Sequence, residues 1–136
     1  MKKGIRIATV LCMCVVLLTS LSIFVSADSD QNTFIDTEYN YSCYCTIYAG
    51  SGSASATMHS TPIGTPIPDN DVRTTCILYL HDGSTTVRSA NGAGGDYCNA
   101  NIPNGWVTFP SEYTYATAAY NFRLNNVGRL SANKGL

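Results

Sequence analysis

Between Val72 and His81 the side chains alternate: Val72, Thr74, Cys76, Leu78 and Leu80 fall on one side of an extended chain, and Arg73, Thr75, Ile77, Tyr79 and His81 on the other. A period of two marks a strand with one face in a core, because successive side chains leave a strand in opposite directions. The same period runs through YNYSCYCTIY, residues 39–48. It sets Tyr39, Tyr41, Cys43, Cys45 and Ile47 against Asn40, Ser42, Tyr44, Thr46 and Tyr48. After Gly50-Ser51-Gly52 it resumes with Ala54, Ala56 and Met58 on one face.

Turn chemistry punctuates these runs. Asp82-Gly83 before TTVRS has the composition of a tight hairpin. Pro103-Asn104-Gly105 separates two short strand candidates, YCNANI and WVTF, and NGAGGD (residues 91–96) reads as a flexible loop. TPIGTPIPDN carries three prolines within seven residues, too few amide donors for a central strand, and reads as an extended surface crossover. The segment 111–124 fits a strand better than a helix. As a strand it places Thr114, Ala116, Ala118, Tyr120, Phe122 and Leu124 on one face, with Tyr113, Tyr115, Thr117, Asn121 and Arg123 on the other. The expected fold is all-β, a small antiparallel β-sandwich or open barrel of about six to seven strands.

The N-terminus has the layout of an export signal. Lys2, Lys3 and Arg6 precede an apolar run from Ile7 to Val25, and Val25-Ser26-Ala27 supplies the small-residue cleavage site. The run is also close to the length of a bilayer span, about 20 residues, but Thr19, Ser20 and Ser22 weaken its distal end. Neither Cys12 nor Cys14 follows a small residue, which argues against a lipoprotein. The expected organisation is a signal peptide of bacterial character over 1–27, a flexible acidic arm over 28–38 and a single β domain over 39–136. Cleavage after Ala27 leaves 109 residues, one ordinary domain. Those residues carry five basic and nine acidic side chains, a net charge of −4, with the arginines scattered. Nucleic acid needs a clustered basic footprint, and none is present. No later stretch is long and apolar enough to enter a membrane once the leader is gone.

Four cysteines follow the leader: Cys43, Cys45, Cys76 and Cys98, each on the apolar side of its strand. In an exported chain they are disulfide candidates. Cys43 and Cys45 lie about 6.6 Å apart with parallel side chains, at the far limit of disulfide geometry. Two connectivities remain, Cys43–Cys76 with Cys45–Cys98 or Cys43–Cys98 with Cys45–Cys76, and a single bridge with two free thiols is a third arrangement. A four-thiolate zinc site would normally use ligand pairs two to four residues apart. These cysteines do not have that spacing, and no metal or cofactor is expected.

Other chemical signals are weaker. Asp69-Asn70-Asp71 gathers oxygen ligands, but no acidic residue follows at calcium-loop spacing, and such runs are ordinary turn chemistry. Gly92, Gly94 and Gly95 do not open a helix, so a phosphate loop is not indicated. No nucleophile elbow or paired-carboxylate pattern stands out, and a non-enzymatic protein is expected. The chain has nine tyrosines. The strand assignments turn Tyr44, Tyr48, Tyr79, Tyr113 and Tyr115 away from the cysteines, as candidate ligand-binding residues. Exposed rings beside Asn and Thr suit sugars or peptides, offering a flat apolar face with a polar tip.

The leader, Ser55-Ala56-Thr57-Met58 after a tyrosine-rich strand, and the late Ala118-Ala119-Tyr120-Asn121-Phe122 resemble secreted, lactococcin-like β-sandwich bacteriocins. The similarity covers two short patches, and the cysteines and the long tail depart from it. It implies an antibacterial alternative and assigns no residue a role. The leading expectation is a secreted interaction module that binds a cell-surface glycan or protein through an aromatic sheet face.

Overall fold

A computed structural model describes residues 27–65, 71–106 and 113–134. The leader up to Ser26, the WVTF strand beyond Trp106 and Asp69-Asn70 lie outside the described residues. Among the described residues eight strands are present: β1 (Asp28–Asp36), β2 (Tyr41–Ala49), β3 (Ala54–Pro62), β4 (Thr74–Asp82), β5 (Thr85–Gly94), β6 (Tyr97–Ile102), β7 (Tyr115–Phe122) and β8 (Asn125–Asn133). They form two antiparallel four-stranded sheets, β1-β2-β3-β6 and β5-β4-β7-β8. The chain is an all-β sandwich, with slightly more strands than expected.

The alternation read from the sequence is the alternation of burial. Cys43, Cys45 and Ile47 of β2, Ala54, Ala56 and Met58 of β3, Cys76, Leu78 and Leu80 of β4, and Ala116, Ala118, Tyr120 and Phe122 of β7 are all buried between the sheets. Much of this core is alanine. Volume comes instead from a few large side chains, Tyr113, Tyr120 and Phe122, whose two phenols must find acceptors once shut away from water. Tyr120 donates to the Thr46 carbonyl at 2.5 Å. Tyr113 donates to the carbonyls of Gly50 and Ser53 in the β2–β3 turn. Burial raises both phenol pKa values, that of Tyr113 to about 12.

Residues 28–36 are not a flexible arm. They pair with β2 along its whole length, from Asp28 opposite Ala49 to Asp36 opposite Tyr41. The acidic and amide side chains that suggested a loose segment instead fasten the open edge of the sheet to β8. Asp28 Oδ2 accepts the Asn133 amide at 2.9 Å, Asn125 Nδ2 donates to Glu38 Oε2 at 2.7 Å, and between them the Phe34 ring covers Gly128. A polar, acidic outer strand also discourages pairing with another chain.

NGAGGD is likewise structural. β5 runs through Gly94, leaving Gly95-Asp96 as the turn into β6. A Cβ at Gly92 would collide with the backbone of Asn99 and Ala100, and one at Gly94 with Tyr97 O. The glycines let β5 of one sheet touch β6 of the other. The sandwich is pinched here. Cys76 of β4 and Cys98 of β6 form a disulfide with Cα atoms 6.3 Å apart, well inside the roughly 10 Å usual between packed sheets.

That pinch corrects the expected pairing. Cys76 is bridged to Cys98, while Cys43 and Cys45 are free and buried. In register, Cys45 lies opposite Met58, and Met58 opposite Cys98. Two strand spacings, about 9.5 Å, therefore separate Cys45 from Cys98, beyond disulfide reach. Across the sandwich β4 packs against β3 and β6, whereas β2 packs against β7 and β8, so Cys76 meets Cys98.

One end of the sandwich holds every described non-glycine residue with positive φ: Asn40 (56°), Arg123 (49°) and Leu124 (73°). Arg123 and Leu124 form the two-residue β7–β8 turn, in the sense that Asn-Gly adopts without strain. Arg123 is anchored there, with its guanidinium 4.1 Å from the Tyr39 ring centre and Nη1 donating to Asp71 O at 2.8 Å. Leu124 is 88% exposed.

Candidate functional site

The five tyrosines chosen from the sequence do not share a face. Tyr113 is fully buried, because it precedes β7 and turns inward to hold the β2–β3 turn; strand alternation does not extend to it. Tyr44 and Tyr48 stand on the outer side of the first sheet, and Tyr79 and Tyr115 on the outer side of the second. The single aromatic face is therefore two faces, back to back.

On the first sheet the register brings side chains of four strands into rows. Thr33, Tyr44, His59 and Tyr97 form one row, and Gln31, Thr46, Thr57 and Asn99 the next. Ser29, Tyr48, Ser55 and Asn101 form the third. Tyr44, Tyr48 and Tyr97 are 44%, 41% and 50% exposed, high for rings on paired strands. The lattice between them is hydroxyls and amides. Thr46 and Thr57 share a hydrogen bond of 2.7 Å, and Tyr44 donates to Gln31 Oε1 at 2.5 Å, which fixes its ring. At the β6 end His59 Nε2 lies 3.9 Å from Asp96 Oδ2.

Tyr97 and His59 were absent from the sequence-derived set. The signal for Tyr97 was present: Cys98, Ala100 and Ile102 take the inner face of β6, so alternation sends Tyr97 outward. His59 follows Met58 by the same rule. Their place beside Tyr44 depends on β6 pairing with β3, a crossover that local sequence does not encode.

The second sheet carries a tighter cluster. His81 stacks on Tyr115 with ring centres 4.7 Å apart and planes 10° from parallel, and its Nε2 lies 2.8 Å from Thr117 Oγ1. Tyr79, two residues earlier on β4, stands 6.3 Å from His81. Beside Tyr79 opens a cleft of about 280 Å³, bounded also by Asp30, Thr117, Ala119, Arg129 and Ser131.

The thiols offer no reactive centre. Burial pushes Cys43 up to about 11, with Asp36 adding to the rise, and Cys45 to about 12, with Cys43 adding. Both remain protonated thiols at neutral pH, whereas the nucleophile and metal ligand is the thiolate. Among the described residues no group of three or more His, Cys, Asp or Glu side chains is placed to hold a metal, and no helix is long and apolar enough to cross a membrane. No protein-family model, curated protein or solved structure gives a significant match to this chain.

Proposed function

We propose that the chain is an exported, non-enzymatic module that binds a neutral cell-surface polysaccharide through the outer face of the first sheet. The observation that carries this is the row Tyr44, His59, Tyr97, three flat rings on three adjacent strands. Ring faces pack against the C–H faces of sugars, and neighbouring hydroxyls and amides take the sugar hydroxyls. The rows of Thr46, Thr57 and Asn99 and of Ser55 and Asn101 supply those partners alongside the rings. Tyr44 and Tyr97 are two strand spacings apart, about 9.5 Å, a separation at which two rings of one extended polysaccharide can stack at once. A flat face with few charges suits a neutral polymer over nucleic acid or an acidic surface.

Export rests on the leader. Its expected cleavage site falls immediately before β1, so removal after Ala27 leaves the strand's residues intact. Protein recovered from culture medium should begin at Asp28 on N-terminal sequencing.

The binding test is retention on insoluble chitin, cellulose and purified bacterial cell walls. Wild type should be held by at least one, and the double variant Tyr44→Ala/Tyr97→Ala should be held more weakly, eluting earlier, with its melting temperature unchanged. Equal retention of the two proteins would remove this face as the site. Growth inhibition of neighbouring bacteria without retention on any of the three would replace glycan binding by an antibacterial role.

A further inference from the structure

The cleft beside Tyr79 has the chemistry of a second saccharide site. Tyr79, Thr117 and Ser131 lie in one cross-strand row on β4, β7 and β8. In the next row Ala119 sits between Ile77 and Arg129, and its short side chain leaves the depression. The ring of Tyr79 forms one wall, Thr117 and Ser131 bring hydroxyls to the floor, and Asp30 and Arg129 complete the rim. Asp30 reaches the cleft because β1 lies along β8. One of its oxygens, Oδ1, accepts the Gln31 amide at 2.8 Å. No ion pair within 4 Å joins Asp30 to Arg129 among the described residues.

A carboxylate that only accepts and a guanidinium that only donates, set around an aromatic wall, satisfy adjacent sugar hydroxyls in both senses. The opposite charges disfavour a strongly anionic or cationic ligand, so the occupant fitted is a neutral sugar unit. In the neighbouring row His81 stacks on Tyr115.

We propose that this cleft is a second glycan site and that one molecule bridges two polysaccharide chains. The proposal rests on the glycan reading of the first sheet. The two sites face opposite directions, so a single chain cannot occupy both by lying flat, and their closest link is β1. On that strand Asp30 serves the cleft, and its neighbour Gln31 fixes Tyr44 on the other face. Two sites on one molecule convert weak single contacts into strong attachment to a polymer surface.

The probe is a bead coated with chitohexaose, with light scattering used to confirm that the protein is monomeric. Wild type should both bind the beads and agglutinate them. Arg129→Ala, an exposed position, and Tyr79→Ala should each bind beads singly and lose agglutination by tenfold or more in the concentration required. Tyr44→Ala/Tyr97→Ala should likewise bind without agglutinating, and adding Arg129→Ala to it should end retention. Monomeric wild type that is retained without agglutinating would overturn the bridge while leaving the first face standing. Agglutination by Arg129→Ala at wild-type concentration would overturn the cleft as the second site. Loss of all retention in Arg129→Ala alone would place binding wholly in the cleft, and would overturn both the bridge and the first-face site.

Discussion

The hydroxyl of Tyr120, on a strand of one sheet, donates to the main-chain oxygen of Thr46, on a strand of the other, at 2.5 Å. Phenols thus tie the two layers together where alanines leave little side-chain interdigitation. Tyr120→Phe removes the donor and leaves a buried carbonyl short of a partner. It should lower unfolding free energy by about 1–2 kcal/mol, measured by urea titration. Tyr48→Ala on the outer face should stay within about 0.5 kcal/mol. Equal effects would mean that the phenol contributes nothing across the layers.

Gly92→Ala should be among the most damaging single-methyl changes in the chain. The added carbon meets backbone at Asn99 and Ala100, which cannot rotate away. A loss of at least about 3 kcal/mol is expected, with the Cys76–Cys98 bridge harder to form. Gly128→Ala meets first the Phe34 ring and should be milder, about 1–2 kcal/mol, because that ring can tilt. Circular dichroism melts of the two variants order them.

Stability should fall on the alkaline side. Unfolded Cys43 and Cys45 ionise near 9.0, whereas the folded thiols hold their protons to about 11 and about 12. Above pH 9 the unfolded state therefore binds fewer protons than the native state. The stabilisation is fully present below that pH and is lost as pH rises through the folded values. Tyr113 adds to the loss, from 10.0 toward about 12. Denaturant midpoints at pH 7, 9 and 11 should decline in that order, and the double variant Cys43→Ala/Cys45→Ala should decline less steeply. Identical slopes would show that the thiols are not the cause.

Leu124→Gly should stabilise the protein. Leu124 holds φ at 73° with its side chain in solvent, so glycine removes backbone strain and surrenders no core contact. A gain of about 1 kcal/mol is expected. Arg123→Gly at the adjacent position should not gain, because it forfeits the stack on Tyr39 and the bond to Asp71. A thermal shift comparison of the two separates strain from anchoring.

The central strands were legible because their alternation is a local property: β2, β3, β4 and β7 each bury one face and wet the other. What failed lay at the edges. β1 and β8 meet each other across a seam open to solvent, so they carry Asp, Asn, Ser and Arg where a buried strand would carry Val or Leu. The same composition marks disordered chain, and only the pairing partner distinguishes them. Glycines 92 and 94 misled for a related reason: the residue that loosens a loop also permits backbone contact. The tyrosines were correctly sent outward, Tyr113 excepted. The order in which strands join the sheets decides which rings stand together, and that order arises from contacts far apart in the sequence.

The bridge between Cys76 and Cys98 closes a short circuit of the chain, with a sequence separation of 22 that holds little more than the β4–β5 hairpin and the entry to β6. It can therefore be made before the first three strands have found their places, since closure becomes harder as the enclosed chain lengthens. Cys43 and Cys45 are more than 50 residues from Cys98, and docking of β2 carries both thiols out of reach of any oxidant. Arrival of β2 thus locks the correct bridge by hiding its rivals. A molecule that still offers both of these thiols to solvent is one whose first sheet is unfinished.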